Sequence, residues 1–95
     1  MKIANYQERS RDIQAVQYRS VLDAEGICTW VNSKGTNSRA SCSKLTNIIQ
    51  VCVNESYTYS IRIGDWVSYN PQTHEVDAYT HDVFVRRYEA RNRAD

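Results

Sequence analysis

Tyr57, Tyr59, Ile61 and Ile63 occupy alternate positions in the chain, with Thr58, Ser60 and Arg62 between them. A period of two puts the large apolar groups on one face of a strand and the polar ones in water. Gly64-Asp65 then turns the chain, and Trp66 to Tyr69 is expected to run back beside that strand. Asn70-Pro71-Gln72-Thr73-His74 reads as a hairpin loop, with Pro71 suited to the second position of a turn. Residues 75–80 supply the return strand. From Asp82 the period changes. Phe84 and Tyr88 are four apart and Asp82 can cap, which predicts a short terminal helix or helical turn.

Upstream, Asp12 to Tyr18 alternates again, with Ile13, Ala15 and Gln17 against Gln14, Val16 and Tyr18, and reads as a short strand. Ser20 followed by Asp23 resembles a capping box with Asp in place of the usual Glu. Val21, Ala24, Cys28 and Val31 recur at helical spacing, which predicts a helix over 21–32. Its interior Gly26 weakens it by about 1 kcal/mol, and Gly35 is a fitting stop signal. Residues 33–43 are polar and aperiodic, a loop with a short edge strand expected at its end. Ile48 to Val53 is a β-branched run in which Ile49, Val51 and Val53 share one face, and Asn54-Glu55-Ser56 turns it into Tyr57.

Residues 1–11 carry no period and read as a flexible N-terminal arm, residues 12–90 as a single domain, and residues 91–95 as a frayed tail. The expected fold class is α+β. An N-terminal strand and helix precede a curled antiparallel meander, which can bend as far as a small open barrel and is closed by a short C-terminal helical turn. Short loops make sequential antiparallel pairing the default.

Ninety-five residues limit the chain to one modest core. Seven tyrosines among ten aromatic residues help, because rings bury much area each. The net charge of +1 argues neither for a nucleic-acid binder nor for a membrane-surface protein. The charge is unevenly placed, however. From Gly26 to Asn54 there is no acid, only Lys34, Arg39 and Lys44; from Glu55 to Asp82 five acids face the single Arg62. Such polarity suits a protein partner with complementary patches, although solvated faces and a charged tail produce the same pattern.

The three cysteines, Cys28, Cys42 and Cys52, form no C-x-x-C pair, the first residues contain no apolar run, and no stretch approaches the ~20 apolar residues of a membrane span. A soluble protein with free thiols in a reducing cytoplasm is the expectation.

Catalytic chemistry finds little footing. Cys28 and Cys52 lie in apolar runs where a buried, inert thiol is normal. Cys42 reads as exposed, and His74 and His81 are the only candidate bases. The histidines and cysteines lack the paired spacing of a structural zinc site. Asp65, Glu75, Asp77 and Asp82 look no different from solubilising charges, and no phosphate-binding Gly-rich motif is present. No catalytic residue, cofactor or metal is therefore expected. Two binding surfaces are candidates: an acidic, aromatic hairpin comprising Trp66, Tyr69, His74, Glu75, Asp77 and Tyr79, suited to a protein partner; and the basic loop with Lys34, Arg39 and Lys44, suited to nucleic acid or a nucleotide phosphate. An edge strand near Ala40 to Ser43 could pair with a second copy, so the protein is a monomer or a homodimer.

Gly64-Asp65-Trp66-Val67 and Asp82-Val83-Phe84-Val85-Arg86-Arg87-Tyr88-Glu89, in that order and at the C-terminus, resemble the closing pattern of a group of small phage and prophage proteins of uncharacterised function. The usual Pro before Gly-Asp is Ile63 here, and the usual Gly-rich hairpin is replaced by Asn70 to Glu75. The resemblance implies a phage-encoded accessory protein, made in the cytoplasm of an infected bacterium, that binds and redirects or inhibits a host protein, including a defence protein. It implies no catalytic residues.

Overall fold

Ile13, Ala15 and Val16 are all buried, so the strand that carries them has an apolar layer on both faces. The computed structural model describes residues 1, 3–8, 11–54 and 56–90. In chain order the elements are β1 (Ala4–Glu8), β2 (Arg11–Gln17), a 3₁₀ turn (Val21–Asp23), α1 (Ala24–Asn32), β3 (Arg39–Cys42), β4 (Ile49–Asn54) and β5 (Tyr57–Ile61). β6 (Trp66–Asn70), β7 (Glu75–Tyr79), α2 (His81–Arg87) and β8 (Glu89–Ala90) complete the fold. A five-stranded sheet of order β7-β6-β2-β1-β8 and a three-stranded sheet of order β3-β4-β5 are both antiparallel. Neither closes on itself. The fold is α+β, as expected, but the barrel form is not taken.

Local signals are well honoured. Ser20 Oγ accepts the Leu22 amide at 3.3 Å, and Asp23 Oδ2 accepts the Arg19 amide at 3.3 Å, which opens the 3₁₀ turn at Val21; α1 itself begins at Ala24, three residues later than the spacing predicts. The helix stops at Asn32, and Gly35 follows in the left-handed region at φ 68°. Two of the three predicted strand returns form as hairpins, β4 with β5 and β6 with β7.

Three expectations are corrected. The segment read as an N-terminal arm contains β1, which pairs with β2 from Ala4↔Ala15 to Glu8↔Arg11. Edge pairing, rather than an apolar period, recruits this polar segment. The single meander is broken after β5, because β6 pairs with β2 through Gln17↔Trp66 to Gln14↔Tyr69. The Gly64 amide donates to Tyr18 O at 2.7 Å and the Tyr18 amide to Asp65 O at 2.9 Å, so the turn is tied to the end of β2. Gly64 adopts φ 105°, a conformation that side chains disfavour, and Asp65 Oδ2 accepts the Arg62 amide at 3.0 Å to hold the bend. Finally, Thr80 rather than Asp82 occupies the N-cap of α2, with Asp82 in the first turn where a negative charge suits the helix dipole. The chain then returns to the sheet as β8. The expected tail at 91–95 lies outside the described residues.

Two apolar clusters sit on the two faces of the five-stranded sheet. On one side Val16, Tyr18, Val67, Tyr69 and Val76 meet α1 (Ile27, Trp30, Val31) and the three-stranded sheet (Ile49, Val51, Ile61). On the other side Ile13, Ala15 and Trp66 meet Phe84 of α2 and Tyr88, with Tyr6 and Tyr79 at the margin. Alternation along β2 and β6 assigns each side chain to its layer. Among the described residues, no helix is long and apolar enough to cross a membrane.

Candidate functional site

The β6–β7 hairpin is built by its first loop residue. Asn70 Oδ1 accepts the amides of Gln72 at 2.9 Å and Thr73 at 3.3 Å, and Asn70 O accepts the His74 amide at 2.8 Å. His74 sits at φ 61° with Nδ1 3.0 Å from the Tyr69 hydroxyl. β7 leaves this loop as an edge strand. Val76 and Ala78 face the larger core, so Glu75, Asp77 and Tyr79 face the α2 side.

Those three residues border a cleft of about 370 Å³ whose other walls include Tyr59, Asn70, Arg87 and Tyr88. The Tyr59 hydroxyl donates to Asp77 Oδ1 at 3.4 Å, joining β5 of the small sheet to the rim. The Tyr79 and Tyr88 hydroxyls are 3.3 Å apart, and the Arg87 guanidinium lies 5.4 Å from the Tyr79 ring and 6.0 Å from that of Tyr88. Burial, helped by the Tyr88 hydrogen bond and the Asp77 charge, raises the Tyr79 phenol well above its ordinary value. Burial and the nearby Asp77 raise Tyr59 as well. Both phenols are therefore neutral hydrogen-bonding groups at physiological pH. A second hollow of about 290 Å³ is bordered by Ser38, Tyr59, His74, Glu75 and Asp77. Glu75, Asp77 and Tyr59 thus border both. The arrangement offers carboxylates beside aromatic walls, which suits a guanidinium or ammonium group. Acids on an edge strand also discourage unwanted strand pairing, and this alone would account for their placement.

The expected surface is only partly realised. Trp66 and Tyr69 are buried, 7% and 8% exposed, on opposite faces of β6. Trp66 stacks on Phe84 at 4.0 Å between ring centroids, and its Nε1 donates to His81 Nδ1 at 3.0 Å. These two aromatics are core, because α2 covers one face of β6 and α1 the other. His74, Glu75, Asp77 and Tyr79 remain at the hairpin. The sequence reading missed Tyr59, Arg87 and Tyr88 as cleft residues. Arg87 was legible in principle, since it falls beside the Phe84–Tyr88 stripe of a helix.

The basic residues are not gathered. The Lys34 ammonium lies 5.3 Å from the Trp30 ring centroid and 5.2 Å from that of Tyr69, and donates to Gln14 Oε1 at 3.3 Å. Arg39, at the start of β3, folds its guanidinium back onto the carbonyls of Thr36 at 2.9 Å and Ser38 at 3.0 Å. Lys44 lies beyond the other end of β3. A shared phosphate contact among the three has no support in this geometry.

The cysteines differ from expectation. Cys28 is buried, but Cys52 is exposed and Cys42 half-buried. Since Ile49, Val51 and Val53 point inward, Cys52 must point outward. Both histidine rings are engaged with aromatic partners, Trp66 and Tyr69. Among the described residues, no group of three His, Cys, Asp or Glu side chains is arranged to hold a metal. No family model, curated protein or solved structure matches the chain.

Proposed function

We propose that the protein is a non-enzymatic binding module that grips a basic segment of another protein at the cleft beside the β6–β7 hairpin. The observation that carries the reading is the joint placement of Glu75 and Asp77 with Tyr59, Tyr79 and Tyr88 around one open cleft. Aromatic anchors beside charges complementary to the partner are what protein interfaces favour. Arg87 lies over the Tyr79 and Tyr88 rings at the margin and stiffens that wall of the cleft. In the phage reading implied by the C-terminal pattern, the partner is a bacterial host protein and the interaction alters or inhibits it, as host takeover or anti-defence proteins do.

The test is capture from a bacterial lysate on immobilised wild type, on Glu75→Lys with Asp77→Lys, and on Arg39→Glu with Lys44→Glu. A protein held by the wild type and the basic-loop variant, but lost from the hairpin variant, is the expected result. A partner that ignores the hairpin charges, together with an oligonucleotide shift that depends on Arg39 and Lys44, would reverse the assignment in favour of nucleic-acid binding. Lys34 is left intact because its packing on two rings would confuse stability with binding.

A further inference from the structure

α1 and β3 are locked in register by one side chain. Asn32 Nδ2 donates to Ala40 O at 3.1 Å, and the Ala40 amide donates to Asn32 Oδ1 at 2.9 Å. Cys28 lies one helical turn before Asn32, on the same face of α1. Cys42 lies two residues after Ala40, on the same side of β3. Four helical residues rise about 6 Å, and two strand residues advance by nearly the same distance, about 7 Å. With the two elements running in opposite directions, the clamp brings the cysteines opposite each other. The Cys42 thiol is close enough to help hold the Cys28 thiol protonated, and both side chains pack on the same core cluster.

Access to the pair is one-sided. Cys28 is 8% exposed, whereas Cys42 is half-buried and lines an open cleft of about 350 Å³ with Tyr18, Ala24, Glu25, Lys44 and Asn47. Cys52 stands apart on the outward face of β4, where its sulfur accepts the Thr58 hydroxyl at 3.3 Å.

We propose that Cys28 and Cys42 form a redox couple, in which a peroxide entering this cleft converts the two thiols to a disulfide that joins α1 to β3. The Cys42 thiolate attacks one peroxide oxygen; the O–O bond breaks, hydroxide leaves, and Cys42 becomes a sulfenic acid. Cys28 then gives up its proton and its sulfur attacks that of Cys42, so the S–S bond forms as the S–O bond breaks and a second water is released. Two thiols and one hydrogen peroxide yield one disulfide and two waters. Burial and the adjacent Cys42 hold the Cys28 thiol up at about 11, so Cys28 is protonated at rest and serves as the resolving partner. An external dithiol reverses the reaction.

Trypsin separates the three cysteines into peptides 20–34, 40–44 and 45–62, so the test is direct. After exposure to hydrogen peroxide and alkylation of remaining thiols, the wild type should yield peptides 20–34 and 40–44 joined and two hydrogens lighter than their sum. The melting temperature should rise by roughly 10 °C, as expected for a bridge closing a short loop, and return with dithiothreitol. Cys28→Ala should stop at a dimedone-reactive sulfenic acid on Cys42. The proposal fails if Cys42 joins peptide 45–62, or if wild-type Cys42 accumulates sulfenic or sulfinic acid without linking to Cys28. It fails equally if Cys28 and Cys42 remain fully alkylatable after peroxide has oxidised Cys52. These outcomes are read on the wild type and survive a variant that does not fold.

Discussion

The two sides of the five-stranded sheet are filled by different chemistry. Beneath α2 the contacts are largely between rings: Trp66 on Phe84 at 4.0 Å, Phe84 on Tyr88 at 5.0 Å, and Tyr6 edge-on to Phe84 at 5.0 Å. Beneath α1 the filling is mostly β-branched, with Val16, Ile27, Val31, Ile49, Val51, Ile61, Val67 and Val76 packed around Tyr18 and Trp30. A seven-residue helix such as α2 cannot sustain itself in water. It is held by a few large rings, each burying much area in a defined geometry. α1 is longer and shares its load among many smaller side chains and the Asn32 clamp. The lesson is that the aromatic side concentrates its stability in few residues, and those same rings bring phenolic groups to the rim of the hairpin cleft.

This contrast is open to attack. Phe84→Ala should cost about 4 kcal/mol in urea unfolding and erase the near-ultraviolet dichroism of Trp66. Ile61→Ala, at a site of equal burial, should leave that dichroism in place; loss of it in both variants would dissolve the distinction. Asn32→Ala should cost about 2 kcal/mol, because it removes both hydrogen bonds that tie α1 to the Ala40 amide and carbonyl, and should speed hydrogen exchange in β3 before it touches α2. Gly64→Ala, forced to φ 105°, should cost about 1–2 kcal/mol and act where β6 joins β2, loosening both sides together.

The last effect is in alkali. Cys28 favours its neutral form when folded, with its thiol pushed up from 9.0 to about 11, so its contribution is complete below pH 9 and is lost as the pH climbs through 11. Tyr18 and Tyr79, one on each side of the sheet, are raised from 10.0 by burial and act in the same direction. Unfolding measured from pH 8 to 12 should show stability falling, and Cys28→Ala should remove the earliest part of the fall. A stability that rises across that range would contradict the burial of all three groups.

Much of the local structure was legible. The alternation at Tyr57–Ile61, the Ser20–Asp23 cap and the Asn70 hairpin are encoded within a few residues of where they act, so periodicity and turn chemistry reach them. The cleft was legible only in part. Glu75, Asp77 and Tyr79 share a strand face by parity alone, but Tyr59, Arg87 and Tyr88 come from other elements.

By itself the amino-acid sequence determined the fold class, the β4–β5 and β6–β7 hairpins and the α1 helix, because hydrophobic period and capping act over short range. Only the tertiary structure decided that β6 leaves β5 to pair with β2, that residues 4–8 join the sheet, and that Trp66 and Tyr69 are core. It alone also brought Cys28 opposite Cys42. Each depends on which backbone edge or apolar face lies free once distant elements meet, and no local pattern carries that information.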